Sequence, residues 1–333
     1  MTKPHILVVG GAGYIGSHMV LDLLRAGYPV VTLDNLSRGH RSLTPGGEFV
    51  EGDMGNPADL ENVFQQYPIK AVMHFAAHSQ VGESVEQPLM YYRNNVANTV
   101  TLLEAMHRAG VNHFIFSSSA AVYGEPEKTP ITEDHPCAPT NPYGTTKLTV
   151  EHILQDVSQV TDLNYCSLRY FNAAGADSSG DIGERHEPET HLIPLVLQVA
   201  TGERASIKIF GEDYPTPDGT CLRDYVHVSD LTQAHLLALE SLLQGGGSAT
   251  YNLGNSTGYS VKQIIEAARR ITSHAIPAVT ADRRAGDPAV LVADSSRVRE
   301  RLGWQPRYET IEDIIQTAWT WHQKEAATKG SQL

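Results

Sequence analysis

The chain has 333 residues, 41% hydrophobic and 19% charged, a globular composition with ample material for one large or two closely joined domains. Its formal net charge of −13 argues against nucleic acid or an anionic membrane as partner. An anionic ligand therefore has to be met by local arginines and backbone amides.

The first predicted strand, "HILVVG" (5–10), runs into glycines and a helical stretch near 15–26. Within "VVGGAGYIGS", Gly10, Gly13 and Gly16 are spaced G-x-x-G-x-x-G between strand and helix. Such a turn lets the backbone approach a pyrophosphate and aims a helix N-terminus at its charge. The second strand, "PVVTLD" (29–34), ends in Asp34, where a carboxylate accepts bonds from an adenine-ribose diol and repels a 2′-phosphate. NAD is the expected cofactor rather than NADP, although Arg38 and Arg41 nearby are of the type that accommodates a phosphate. The third strand, "GEFVEGD" (47–53), ends in Asp53, which either reaches the adenine or initiates the turn in "GDMGNP".

A helix near 57–66 precedes "IKAVMHFAA" (69–77), a strand whose small terminal residues suit either a passing cofactor or ordinary packing. His74 and His78 sit four apart at this strand end, and the remaining histidines lack metal-ligand spacing, so no metal is expected. A helix over 88–109 leads to "VNHFIFSSS" (111–119), tipped by three serines. In "NPYGTTK", Asn141 and Pro142 supply an N-cap and a first-turn proline for a helix over 142–158. Tyr143 and Lys147 share one face of it, beside an apolar stripe of Val150, Ile153, Leu154 and Val157. Alone, such a pair is a weak signal, common by chance and more often an exposed pair than a working one. "LNYCSLRYF" (163–171) is the sixth strand.

Apolar strands alternating with helices predict an α/β fold, a Rossmann-type doubly wound parallel sheet that binds ligands at its carboxyl edge. Residues 172–190, rich in Gly, Asp, Ser, Glu and Pro, read as a long functional loop. The short strands "SIKIFG" and "TYNLGN" and the helices "VKQIIEAARRI" and "IEDIIQTAWTWH" read as a smaller mixed α/β substrate lobe over that edge. The NAD-binding domain is expected over 1–171, with returning segments near 220–250 and 290–303. The substrate lobe takes 172–219, 251–289 and 304–330, and the tail is expected to fray from Ala326. No apolar run reaches about 18 residues, the length of a spanning helix. Cys137, Cys166 and Cys221, odd in number and widely spaced, together with an N-terminus lacking a leader pattern, predict a reducing cytoplasm.

The glycine turn, the strand-end serines and the Tyr-x-x-x-Lys pair together resemble the extended short-chain dehydrogenase/reductase family. "GGAGYIGSH", "VGESVEQPLMYYRNNV", "FSSSAAVYG", "LRYFNAAGA", "IFGEDYPTPDGTCLRDYVHVSDL", "YNLGN" and "RRAGDPA" extend the likeness to that family's UDP-sugar 4-epimerases over nearly the whole chain. The resemblance implies that Ser119, Tyr143 and Lys147 act together beside the nicotinamide. An ammonium near a phenol favours tyrosinate, which then removes a hydroxyl proton while hydride leaves the same carbon. It also adds Tyr14, Ile15, Asn35, Met54, Phe75, Ala76, Ala77, Asn94, Ser117, Tyr170 and Phe171 to the cofactor set. Asn172, Arg223 and Arg284 are implied at a diphosphate, Asp287 at a ribose, and Leu192, Phe210 and Tyr225 around a uridine. Taken singly, each arginine has a surface ion pair as its alternative reading, Arg223 with Asp224 for example.

Two positions depart from the family's common pattern. His191 stands where an asparagine amide is usual, and Leu291 where some members place a tyrosine against the sugar. The smaller side chain would admit a 2-acetamido group. Related dehydratases carry Asp-Glu after the strand-end serine or threonine, whereas Ala120 and Ala121 follow Ser119 here, so elimination is disfavoured. The implied reaction is inversion of carbon 4 between UDP-galactose and UDP-glucose through a 4-keto sugar. UDP-N-acetylglucosamine and UDP-pentoses are the alternative substrates. Behind these stand an NAD-dependent dehydratase or dehydrogenase and a non-catalytic NAD sensor. A homodimer through the helices near 88–109 and 142–158 is implied as well.

Overall fold

The computed structural model describes residues 3–284 and 287–330. Ala285 and Gly286 of "RRAGDPA" and the last three residues of the tail lie outside the described residues. In chain order the elements are β1 (His5–Val9), α1 (Tyr14–Arg25), β2 (Val30–Asp34), β3 (Glu48–Glu51), α2 (Pro57–Gln66) and β4 (Ile69–His74). Next come α3 (Val81–Glu86), α4 (Pro88–Tyr91), a π-turn over Tyr92–Ala97, α5 (Asn98–Ala109), β5 (His113–Ser119), α6 (Pro142–Val160), β6 (Asn164–Tyr170) and β7 (Asn172–Ala174). The remainder comprises α7 (Leu192–Ala200), β8 (Ile207–Phe210), β9 (Leu222–His227), α8 (Val228–Leu243), β10 (Ala249–Leu253) and β11 (Gly258–Ser260), then α9 (Val261–Thr272), β12 (Ala278–Ala281), β13 (Val290–Leu291), α10 (Ser296–Leu302) and α11 (Ile311–Gly330).

Among the described residues seven strands form one sheet in the order β10-β6-β5-β4-β1-β2-β3, every pair parallel. Alternation along β1 explains its two faces. Ile6 and Val8 enter a cluster with Met19, Val20 and Leu23 of α1 and Leu231, Leu239 and Leu242 of α8. Leu7 and Val9 enter another with Leu60 of α2, Leu102 and Met106 of α5, and Val150 and Leu154 of α6. The strand order reverses between β1 and β4, so the crevice at their carboxyl ends is the switch point where such sheets take ligands.

A second sheet is built on β9. Its first residues pair with β11 and β13, and its last with β7. With α7, α9, α11 and the pair β8–β12 it surrounds a separate core of Ile193, Leu197, Ile209, Ile264, Ile314 and Trp319.

Several expectations are corrected. "TYNLGN" holds β10, which pairs with β6 and closes the edge of the large sheet instead of joining the smaller lobe. β9 lies in the second sheet, so the chain's return to the large sheet's layer starts at Val228. α7, α8 and α10, for which the sequence reading predicts no helix, are present. The predicted helix over 88–109 is interrupted by its π-turn, and α11 continues past Ala326.

Candidate active site

The glycines of the first turn have different tasks. Gly10 has a φ of 82°, and a Cβ there would come within 2.5 Å of the Ala76 nitrogen. A Cβ on Gly16 would lie 2.1 Å from the Gly10 carbonyl. Both are required by the close passage of β1, α1 and the end of β4. Gly13, the N-cap of α1, would meet only the Gly10 oxygen, at 3.4 Å, so its missing side chain leaves room at the helix start. An anion fits there, on the free amides of the first turn.

Asp34 ends β2 nearly buried, with one carboxylate oxygen accepting from the Ala12 amide at 2.9 Å and the other from the Leu36 amide at 2.8 Å. Burial raises its pKa, and those two amides oppose the rise. The arginines that could have served a 2′-phosphate are engaged elsewhere. Arg38 pairs with Glu83 at 2.7 Å, and Arg41 lies over the Phe49 ring at 3.6 Å. Asn35 donates to Asp53 at 2.8 Å, with Met54 buried next to it. The residues present therefore fit NAD.

At the end of β4 the Phe75 amide donates to the Val9 carbonyl, and the Ala77 amide to Phe75. Ile15, Phe75 and Ala76 are part-buried against the core clusters. The π-turn presents Asn94, which donates to the Asn95 side chain at 2.9 Å. Asn95 in turn bonds both backbone groups of His78 and the Thr146 hydroxyl, tying this turn to α6. His74 is buried and contacts the Thr99 hydroxyl, which gives it a packing role.

α6 starts as predicted, with Asn141 accepting from the Gly144 amide at 2.9 Å and Pro142 in the first turn. Gly144 lets it approach the serine-tipped strand, because a Cβ there would lie 2.4 Å from the Ala121 carbonyl. Tyr143 and Lys147 are both buried. The Lys147 ammonium donates to the Ser117 carbonyl at 2.6 Å and lies 5.8 Å from the centre of the Tyr143 ring. Burial lowers its pKa to about 7, opposed by the charge of Glu151. The Tyr143 phenol is raised by burial and pulled back by a hydrogen bond with Ser119. Ser119 is therefore the group that opposes the rise in this geometry, a part that the sequence leads one to expect of Lys147. The Ser119 hydroxyl also accepts from the Ala121 amide at 3.1 Å. Tyr170 and Ser117 meet at 2.6 Å, and the Phe171 amide donates to the end of β10.

The residues assigned to substrate lie on the second sheet and its surroundings. Asn172 is in register with Tyr225 and donates to the Asp224 carbonyl at 3.0 Å. Arg223 is in register with Leu291 and pairs with Asp287. Its expected alternative partner, Asp224, is instead fully buried under the amides of Asn255, Ser256 and Ala293, and burial raises it to about 7. Arg284 stacks on the Phe210 ring at 4.0 Å, whereas Arg283 goes to Asp213 and Tyr214. His191 occupies the N-cap position of α7 without a side-chain capping bond and contacts Glu184, with Leu192 beginning the helix on the second core.

The 172–190 segment is anchored to α1. Tyr14 donates to the Gly175 carbonyl at 2.7 Å, and His18 accepts from the Asp177 amide. Arg25 pairs with Asp177 at 2.8 Å. Two groupings are not foreseen from the sequence, although His191 in the second is singled out there on other grounds. One is the buried chain Ser118–Glu151–Arg169–Tyr123–Asn252 behind Lys147. Its signal is an acid one helical turn past the lysine. The other is a cluster of Glu184, His186, Glu189 and His191, visible as two histidines among three acids within eight residues.

Residues 6–254 match the NAD dependent epimerase/dehydratase family, and the chain belongs to it. Its curated relatives include a UDP-glucose 4-epimerase of Halalkalibacterium halodurans, 52% identical over 319 residues that cover 96% of each chain. Among solved structures, a UDP-glucose 4-epimerase superposes with a TM-score of 0.95 at 56% identity, over 96% of this chain and 98% of the other. The Brucella ovis UDP-glucose 4-epimerase in complex with NAD gives 0.93 at 48%, over 95% and 98%.

Proposed function

We infer that the chain interconverts UDP-glucose and UDP-galactose by inverting carbon 4, with NAD held at the glycine turn. The observation that carries this is the meeting of Tyr143, Lys147 and Ser119 at the sheet's carboxyl edge, followed by two alanines that cannot move a proton. Bound NAD supplies reversible hydride exchange with carbon 4. As phenolate, Tyr143 takes the proton of the 4-hydroxyl, and later returns it once the 4-keto sugar has presented its other face. Ser119 hydrogen-bonds the reacting oxygen and eases loss of the phenol proton. Lys147, when charged, favours phenolate and holds the nicotinamide ribose. Asn172, Arg223 and Arg284 meet the diphosphate, with charge-assisted bonds that an acidic protein must supply locally. Asp287 serves the ribose, and Leu192, Phe210 and Tyr225 border the uridine.

The test is proton NMR of products from UDP-galactose, with NADH absorbance followed in parallel. UDP-glucose should form without net NADH. Tyr143→Phe should lower turnover by about 10³-fold while NAD stays bound. Accumulated NADH or a released keto sugar would refute the assignment.

Leu291 favours a wider substrate range. It packs against the cluster of Ala120, Val122, Tyr123 and Ile131 with a side chain smaller than a tyrosine. UDP-N-acetylglucosamine is therefore a second substrate, and Leu291→Tyr should remove it while sparing UDP-glucose. Equal activity of that variant on both would discard this reading.

The protein acts as a homodimer. Val81, Val85, Leu89, Tyr92 and Val100 form an exposed apolar stripe from α3 to α5, beside α6, consistent with a helix-on-helix contact between copies. No helix among the described residues is long and apolar enough to cross a membrane. The three free cysteines suit a reducing cytoplasm.

A further inference from the structure

The geometry points to a divalent-cation site of zinc-like preference formed by Glu184, His186, Glu189 and His191, where the segment after β7 meets the start of α7. One ligand atom from each of the four lies within 4.8 Å of all the others. His186 Nδ1 is 3.0 Å from Glu184 Oε1 and 3.8 Å from Glu189 Oε2. His191 Nδ1 contacts the same Glu184 oxygen and lies 3.9 Å from Glu189 Oε1. Around a tetrahedral zinc with bonds of about 2.0–2.1 Å, donor atoms stand about 3.4 Å apart, and these separations bracket that value.

Two imidazole nitrogens and two carboxylates are a borderline donor set, and one divalent cation balances both acids. Two independent ion pairs would give each imidazole its own carboxylate. Here both imidazoles turn Nδ1 to one oxygen of Glu184, with the second carboxylate closing the ring of donors. A cation between them completes that arrangement.

Outer contacts already orient the ligands, as metal sites require. Glu189 Oε1 accepts from the amides of Thr190 and His191 at 2.7 and 2.9 Å. The Glu184 carbonyl accepts from Trp321 at 3.0 Å. The His186 ring stands edge-on to both Tyr14 and His191. An ion here would fasten the segment between the helix of the glycine turn and the cap of α7.

Full-length protein with its NAD, stripped by chelator, should take up one zinc per chain at micromolar or lower concentration, read by elemental mass spectrometry after desalting. Its thermal midpoint should rise with zinc, and cobalt(II) in its place should show the intense visible absorption of four-coordinate geometry. His186→Gln and Glu189→Gln should each weaken uptake by more than about 10-fold, with folding checked by circular dichroism. His107→Gln, on the exposed side of α5, should leave uptake unchanged. Absence of stoichiometric uptake, or uptake unaltered in whichever of the two variants folds, overturns the proposal.

Discussion

Lys147 is followed one helical turn later by Glu151, which is buried and fully engaged. Glu151 accepts from Ser118 at 2.5 Å and takes a two-pronged contact from Arg169 at 3.0 and 2.5 Å. Arg169 also donates to Tyr123 at 2.9 Å, and Tyr123 donates to Asn252 at 2.7 Å. Glu151→Gln would leave the guanidinium without its counter-charge away from water. The expected loss is about 3–5 kcal/mol in chemical denaturation with an unchanged m-value. A loss below about 1 kcal/mol would mean that water relaxes around the pair. Because Glu151 supports the Lys147 charge, the variant should also move the alkaline limb of the pH–activity curve to lower pH. Tyr143, Lys147 and the Asn141 cap were readable from sequence, since spacing and capping are local. Glu151 was not, because its partner stands on a different element and an acid beside an apolar stripe looks the same with or without it.

At the scale of elements, the region from α3 to α5 shows where local pattern fails. The helical character of 88–109 was legible and that of α3 was not, and the π-turn depends on Asn95 bonding His78 and Thr146, which are distant in sequence. α8 went unread because it is buried on several sides, against the sheet, α1 and α10, and so lacks a single apolar stripe. β10 was read as a strand but given to the wrong lobe, since a short strand carries no mark of its neighbour. The exposed stripe on α3–α5 carries its own prediction. Leu89, 83% exposed, contributes little to the monomer's core. Leu89→Glu should turn a dimer into a monomer in light scattering with little change in the fold. A wild-type monomer would remove the dimer from the account.

For the whole molecule, the parallel sheet and its ligand edge were legible because six short strands rich in Val, Ile and Phe alternate with helices and have punctuated ends. The second sheet was not, because its pieces come from four distant segments. Acid sensitivity is a property at this scale. Burial holds His18 and His235 down to about 4, and His74 and His227 to about 3. Between those values and about 6.5 the unfolded chain binds protons that these four imidazoles refuse when folded; Asp224, held up to about 7, opposes this with a single proton, and the net effect is that stability falls as pH falls. Each histidine adds a slope of up to about 1.4 kcal/mol per pH unit in that window. Thermal midpoints measured from pH 7 to 4.5 should therefore drop steeply. A flat profile would mean that these imidazoles gain water or partners on protonation.

The way β10 returns to the large sheet after β9 has entered the small one has a consequence for dissection. The polypeptide passes between the two layers again before β11 and around β13, so neither lobe corresponds to a contiguous piece of the gene. A fragment ending at Phe171 would keep the glycine turn and the Tyr143 helix, yet it would lose α8 and the strand that covers β6. It would expose an apolar face and an unpaired sheet edge, and should aggregate rather than bind nucleotide. The two layers are sewn together by the chain's path, so domain swapping or recombination with relatives has to exchange both at once.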